Sequence, residues 1–446
     1  MMNLFRTGCL AAMLLLSAGC STLGLSSDDD KKSDAAKGKR ESLMNSDQQL
    51  KPNAGVDGGW IKLPDTVNKT DWPQANGNAL NAPQHAAVAT SLKKFWRVSI
   101  GDGSGGALRL LARPVVAGGR VFTMDASGHV SAFALKDGEK LWRVSTQATE
   151  SEASEAIGGG IAYDKGMLFA TTGHAEVVAL GIGDGKVLWR RKLMNPSRAA
   201  PTVADGRVYV VTINNATSVL KGSDGSVLWT HSGTGQTAAL MGAASAAVDG
   251  DTAVVAYSSG EIFALRAQNG RVAWGDVLVS PLAVGALPEM ADIRGAPVID
   301  HGGVFALGHS GRMAALIMRS GERAWELDVG GSNPPLVAGN TIYLLSNAQK
   351  LMAVRRDNGK IIWANDLPVR VDADDRESTP IVWTGSLLAG GRLFLVNSHE
   401  ELVEFDARTG KRLATHELPG ASFIAPIAAQ SVLFVVTEDG DLVAYR

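Results

Sequence analysis

VAGGRVFTMDASGHVSAFALKDGEKLW, residues 116–142, is the stretch whose reading decides the fold. Val121 and Thr123, then Val130, Ala132 and Ala134, alternate with period two, as half-buried strands do. Ser127-Gly128 separates the two runs, Asp137-Gly138 follows the second, and a further short strand ends on Trp142. Glycines in such pairs supply the positive φ that tight hairpin turns require. The same sentence returns as YDKGMLFATTGHAEVVALGIGDGKVLW at 163–189 and as VADGRVYVVTINNATSVLKGSDGSVLW at 203–229.

Working outward, Trp142, Trp189, Trp229, Trp274, Trp325 and Trp363 are spaced 47, 40, 45, 51 and 38 residues apart. A period near 40–45 residues with four short strands per unit is the signature of propeller blades. Asp137-Gly138, Asp184-Gly185, Asp224-Gly225, Asn269-Gly270, Ser320-Gly321, Asn358-Gly359 and Thr409-Gly410 fall at one place in seven units, read as the turn between the third and fourth strands. The seventh unit carries Ala414 where tryptophan is expected. An eighth begins at Phe423 and ends at Arg446 without a fourth strand. Lys94-Phe95-Trp96-Arg97-Val98 has the character of that missing strand, so the N-terminal strand is expected to complete the last blade and remove the open edges. The fold class is therefore all-β: an eight-bladed propeller of four-stranded blades over residues 91–446. First strands rich in Ala, Gly and Pro suit crowding at the axis, and the tryptophans read as packing between blades rather than as a cofactor stack.

The N-terminus carries an address. Arg6, an apolar run from Cys9 to Leu16, and Leu16-Ser17-Ala18-Gly19-Cys20 resemble a bacterial lipobox. The resemblance implies a signal peptide over 1–19, acylation of Cys20, and, with Ser21 next to it, sorting to the outer membrane. Cys9 and Cys20 are the only cysteines, so neither a disulfide framework nor a cysteine metal site is available. Residues 20–57 read as a lipidated flexible tether and 58–90 as an extension packed on the propeller. A formal net charge of −2 without a basic patch argues against nucleic acid.

No GxSxG elbow, P-loop or HExxH is present. His129, His174, His309 and His399 follow second strands in different blades and read as turn residues, so neither a metal nor a cofactor is expected. The connections from each fourth strand to the next first strand open on one face. Most read as short; 230–242 and 275–295 read as long and flank the fourth blade. They carry apolar residues that a bare connector does not need: Leu240, Met241, Val277, Leu278, Leu282, Val284, Leu287 and Met290. A docking surface is one reading, and folding back over the blade is the other. Arg113, Arg198, Arg294 and Arg376 precede first strands and are expected to ring the same mouth, in position to meet a carboxylate-bearing partner or to stand as solvated rim charges.

These repeats resemble the PQQ-like repeat superfamily. With the lipobox, the tether and RGAPVIDHGGVFALGHSGRMAALIMRSGERAW at 294–325, the chain resembles the BamB family, lipoproteins of the bacterial β-barrel assembly machinery. The resemblance implies a non-enzymatic scaffold in the periplasm, lipid-anchored to the outer membrane, that binds the POTRA domains of BamA and, through it, the rest of the machinery. Unfolded outer-membrane proteins are further candidate partners. The family binds its partner through a Leu-x-Leu-Arg run before the fourth blade and an Asp-x-Asp before the fifth. Ala238-Ala239-Leu240-Met241 matches at Leu240 and departs at Ala238 and Met241; Asp292-Ile293-Arg294 matches at Asp292 and departs at Arg294. The resemblance thus implies Leu240, Met241, Asp292 and Arg294 as partner-binding positions. Two alternatives stand: a quinoprotein dehydrogenase on the same repeat, which the single mature cysteine disfavours, and a scaffold for a different envelope machine. Cys20→Ala is expected to release the protein from membranes into the soluble fraction; its retention in a sedimented membrane pellet would overturn the anchor.

Overall fold

The computed structural model describes residues 50–147, 157–235, 241–279 and 292–446, which belong to one compact unit, Asn45–Arg446. Cys20 and the lipobox lie outside the described residues. Eight four-stranded antiparallel sheets follow one another, each ordered from inner to outer strand. Blade 1 is built of β2 (Val115–Ala117), β3 (Arg120–Met124), β4 (His129–Ala134) and β5 (Lys140–Ser145). Blades 2 to 7 repeat it over 160–192, 202–232, 247–277, 298–327, 336–366 and 383–417. In blade 8, β30 (Ile427–Ala429), β31 (Val432–Val436) and β32 (Asp441–Tyr445) are completed by β1 (Lys94–Ser99), antiparallel to β32 with Trp96 opposite Ala444 and Val98 opposite Leu442. The closure read from the sequence is the closure observed, and the eight-bladed propeller stands.

One contact recurs between blades. Each fourth-strand tryptophan lies on the glycine of the third-to-fourth-strand turn in the following blade: Trp96 on Gly138, Trp142 on Gly185, Trp189 on Gly225, and so on to Trp363 on Gly410. A Cβ on any of these seven glycines would lie 2.5 to 2.9 Å from the indole beneath it. Gly225 also has φ +69°, a left-handed conformation that glycine adopts without penalty. Six of the indoles donate Nε1–H to a carbonyl of the same turn at 2.7 to 3.1 Å, as Trp229 does to Ala267. The Nε1 of Trp363 is buried without a partner among the described residues, and Asn365 instead donates to Thr409 O at 3.2 Å. Opposite each tryptophan on the third strand stands a small or β-branched residue, Ala132, Ala179, Val219, Ala264, Ala315, Ala353 or Ala444, which leaves room for the ring.

The break at Ala414 follows from this rule. A tryptophan there would need a third-to-fourth-strand turn in blade 8, but those two strands are the ends of the propeller chain, and no turn joins them. The size order across the pair is reversed, with Glu404 opposite Ala414. Glu404, 3% exposed, accepts from Arg392 Nη1 and pairs with His416 Nε2, both at 2.6 Å. Arg392 also donates to the carbonyls of Thr90 and Ala89. A polar cluster therefore ties blade 7 to the segment entering β1.

The segment before β1 makes bonds that no local pattern announces. Trp72 forms an antiparallel bridge with Val116 of blade 1; Pro73 O accepts from Tyr163 N of blade 2 at 2.7 Å; Gln74 bonds Val203 of blade 3. Ala79 O and Leu80 O accept from Val248 N and Ile299 N of blades 4 and 5. Asn340 of blade 6 bonds Trp60 and Lys62, Ala86 bridges Ala389 of blade 7, and Gln430 N of blade 8 donates to Lys69 O. Asn81, 3% exposed and at φ 57°, donates to Ala246 O and Pro297 O. Residues 50–57, assigned above to the tether, already bond the propeller: Ile361 N donates to Asn53 Oδ1 at 2.6 Å, and Leu50 is buried. These bonds reach the ends of first strands and the turns that follow them. That end of the axis is thereby covered.

Removal of one indole exposes a turn and opens a cavity between two sheets. Trp229→Ala, at a ring 8% exposed, is expected to cost about 3–5 kcal/mol in denaturant titrations. Gly225→Ala is expected to cost roughly 1–3 kcal/mol through its positive φ and its clash with Trp189. Ala414→Trp should bring no gain, because its docking turn does not exist.

Candidate docking face and axial cavity

Antiparallel order places the first-to-second turns of every blade, and the third-to-fourth turns of blades 1 to 7, at one face. The second-to-third turns and the inter-blade connections lie at the other. The N-terminal segment occupies the first face at the axis, so the second is the one left open. Its connections are longer than the sequence reading allowed. Besides 233–246 and 278–297, the segments 100–114, 146–159 and 367–382 are also long. Only 193–201, 328–335 and 418–426 are short. Loops carry no periodicity, so their limits were legible only where the strands on both sides were recognised.

At the centre of the open face lies a cavity of about 580 Å³. Ala75 and Asn76 of the N-terminal segment line it, together with residues from all around the ring. Among the described residues, four arginines line it, Arg109, Arg113, Arg198 and Arg294, against a single carboxylate, Glu438. Three of the four arginines expected at the mouth therefore converge. Arg376 does not; it is exposed on the 367–382 connection. Arg113 donates to Asn76 Oδ1 at 2.6 Å. Burial, reinforced by the like charge of Arg294, pushes its guanidinium down to about 10. Burial also lowers Arg294, with Asp292 opposing. Glu438 is held above the usual carboxylate range by burial, with Ser104 and Arg109 working the other way.

The four partner-binding positions implied by the resemblance separate. Leu240 lies outside the described residues. Met241 is 41% exposed and lines the rim of the cavity. Arg294 is half-buried in the cavity wall, its Nε close against the backbone of Gly242. Asp292 is 4% exposed, next to Arg198 and Gly242 around a small void, and its carbonyl accepts from His309 N at 2.8 Å. Its side chain supports the surface rather than forming it. Val277 closes the fourth strand of blade 4 and is 47% exposed, while Leu278, the first residue of the neighbouring loop, is fully buried. Leu282, Val284, Leu287 and Met290 lie outside the described residues.

Other connections supply apolar surface that the sequence reading passed over. Met194 is 97% exposed on 193–201; Val369, Val371 and Val382 stand out on 367–382, and Phe423 on 418–426. Met194, Val382 and Phe423 each stand beside a buried apolar neighbour, Leu193, Ile381 or Ile424, so the order of residues does not tell which of the two faces outward. Among the histidines, His309 bonds Ser332 Oγ at 3.0 Å in the cavity wall, and burial holds its pKa low. His129 instead groups with Asp125 and Asp102, their ligand atoms within 4.8 Å of one another. Arg143 Nη2 sits 2.6 Å from Asp125, whose other oxygen accepts backbone N–H from Ser127 and His129. The charge of Asp125 is thus already matched by protein groups, and the cluster reads as a turn brace.

The comparisons with known proteins agree with this architecture. The family profile described as "Outer membrane protein assembly factor BamB" matches residues 84–156, 126–365 and 370–446. Outer membrane protein assembly factor BamB of Yersinia pestis is 27% identical over 361 residues, covering 79% of this chain and 88% of its own. The Escherichia coli protein of that name is 28% identical over 350 residues, covering 77% and 86%. Among solved structures, BamB from Moraxella catarrhalis superposes with a TM-score of 0.67 at 17% identity, over 80% of this chain and all of that one. A quinohemoprotein alcohol dehydrogenase from Comamonas testosteroni superposes at 0.66 with 13% identity, over 88% and 82%, and shares the fold alone. With the family profile spanning most of the propeller, the chain belongs to the outer membrane protein assembly factor BamB family.

Proposed function

We propose that the protein is a non-enzymatic scaffold of outer-membrane protein assembly, held to the outer membrane by lipid on Cys20 and facing the periplasm. Its open face docks the POTRA domains of BamA and through them the rest of the machinery. The observation that carries this reading is the asymmetry of the two faces. One is covered at the axis by a segment bonded to all eight blades. The other presents Met194, Met241, Val369, Val371, Val382 and Phe423, each more than a third exposed, on connections around one mouth. Apolar side chains on loops braced by a rigid sheet framework mark a protein-binding surface. The relatives' name supplies the process, outer membrane protein assembly.

The cavity lining supports the non-enzymatic reading. Four guanidiniums and one carboxylate do not resemble the set of carboxylate and carbonyl oxygens that a calcium-dependent quinone site needs.

A photo-crosslinking residue at Met241 or Phe423, introduced in the native envelope, is expected to trap BamA. The same residue at Leu188, on an outer strand, should not. Adducts from the open face to some other envelope protein alone would assign the propeller to a different machine. Met241→Asp should abolish partner binding and leave the melting temperature in place. Asp292→Arg should destabilise the fold itself, by about 3–5 kcal/mol, since it buries an unmatched cation beside Arg198 and Arg294. Calorimetry on the two variants separates the surface residue from the one beneath it.

A further inference from the structure

The charge of the axial cavity runs against that of the chain. The whole sequence is formally −2, yet among the described residues this one recess gathers four guanidiniums and a single carboxylate. The carboxylate is already engaged, by Ser104 and Arg109. No carboxylate among the described residues lies within ion-pair distance of Arg113 or Arg198, and Arg113 has Asn76 as its polar partner. Arg113 and Arg294 face each other closely enough for their charges to repel. Half-buried guanidiniums gathered in one recess focus positive potential there and attract an anion. Three arginines from three connections thus line one space, with Asp292 acting on Arg294 and no described carboxylate within ion-pair distance of the other two, so the recess is positively charged.

The shape is that of a small-molecule pocket. Its volume of about 580 Å³ lies within the range that holds compact organic ligands. The N-terminal segment bounds it with Ala75 and Asn76, and Trp383 and Phe423 give it an apolar flank. Planar guanidiniums bind carboxylate and phosphate oxygens in bidentate fashion. We propose that the axial cavity is a binding site for a small organic anion carrying at least two carboxylate or phosphate groups on a compact apolar body, held by Arg113, Arg198 and Arg294. The site shares Met241, Val382 and Phe423 with the rim of the docking surface, but the arginines at its centre hold the anion, and it stands whether or not that rim binds BamA. An anion in it would relieve the repulsion between Arg113 and Arg294 and brace the three connections that carry these arginines.

Isothermal titration of the full chain with trimesate, citrate and inorganic pyrophosphate tests this. Saturable one-to-one binding is expected for at least one probe, weakening with added salt and reduced at least ten-fold in Arg198→Ala. Trimesate or citrate as the better ligand identifies a carboxylate source; pyrophosphate identifies a phosphate one. Arg113→Gln serves as a second variant, checked for folding by circular dichroism, and should lose binding while its spectrum is kept. Leu188→Ala, on an outer strand, should bind as the parent does. Absence of saturable binding of all three probes at millimolar concentration, or equal affinity in the parent and both arginine variants, overturns the proposal.

Discussion

The contact between an indole and the glycine turn of the next blade is the constraint on which the rest of this molecule depends. A four-stranded blade has two apolar faces and cannot bury both alone, so each must find a neighbour on either side. The indole sets the spacing between neighbours. It fills the gap at the outer edge, donates its N–H to the turn beyond, and admits only a glycine beneath it. Seven such contacts run in one direction around the ring, from Trp96 to Gly410. The eighth interface has neither the tryptophan nor the turn, because it is where the chain ends meet. There His416 of blade 7, held by Glu404, lies against Tyr445 of blade 8 with 5.9 Å between ring centroids, and Arg392, also paired with Glu404, bonds the carbonyls of the segment entering β1. Such a buried, fully bonded pair specifies geometry more than it adds stability.

Closure by β1 also decides where the preceding segment goes. Since β1 lies at the outer edge of blade 8, the chain ahead of it must cross the propeller, and it does so by bonding all eight blades in turn. This strap has two consequences. It supplies partners to polar groups at the inner strand ends, as Asn81 does for the carbonyls of Ala246 and Pro297. It also makes the two faces unequivalent, leaving one covered at the axis and the other open with a recess. Any interaction at the axis is thereby directed to the face of the inter-blade connections.

On that face two kinds of surface meet. Apolar side chains stand outward around the rim, while arginines turn inward at the centre. The positions that family resemblance pointed to are divided between these roles. Met241 belongs to the rim, Arg294 to the recess, and Asp292 to the support beneath both. Arg294 therefore adds its charge to the recess rather than to the outer surface.

Strands, turns, blade number and closure were legible in the amino-acid order, because each rests on contacts within some forty residues and recurs. Asp224-Gly225 and Trp229 declare their roles wherever the unit repeats. Even Ala414 was visible as a break, although its cause was not: the missing ring and the missing turn are one feature only when the two chain ends are placed side by side. The path of residues 50–93 was hidden for a different reason. Their bonds join them to Val203, Ile299 or Gln430, far away in sequence, and a polar segment without period carries no trace of such partners. Likewise Arg113, Arg198 and Arg294 could be ranked as mouth residues from their position before first strands. That they converge on one recess while Arg376 stays outside, and that Asp292 is buried, was decided by the tertiary structure. Local periodicity determines which segments pair, but charge and burial at the axis depend on how eight separate units bend around a common centre.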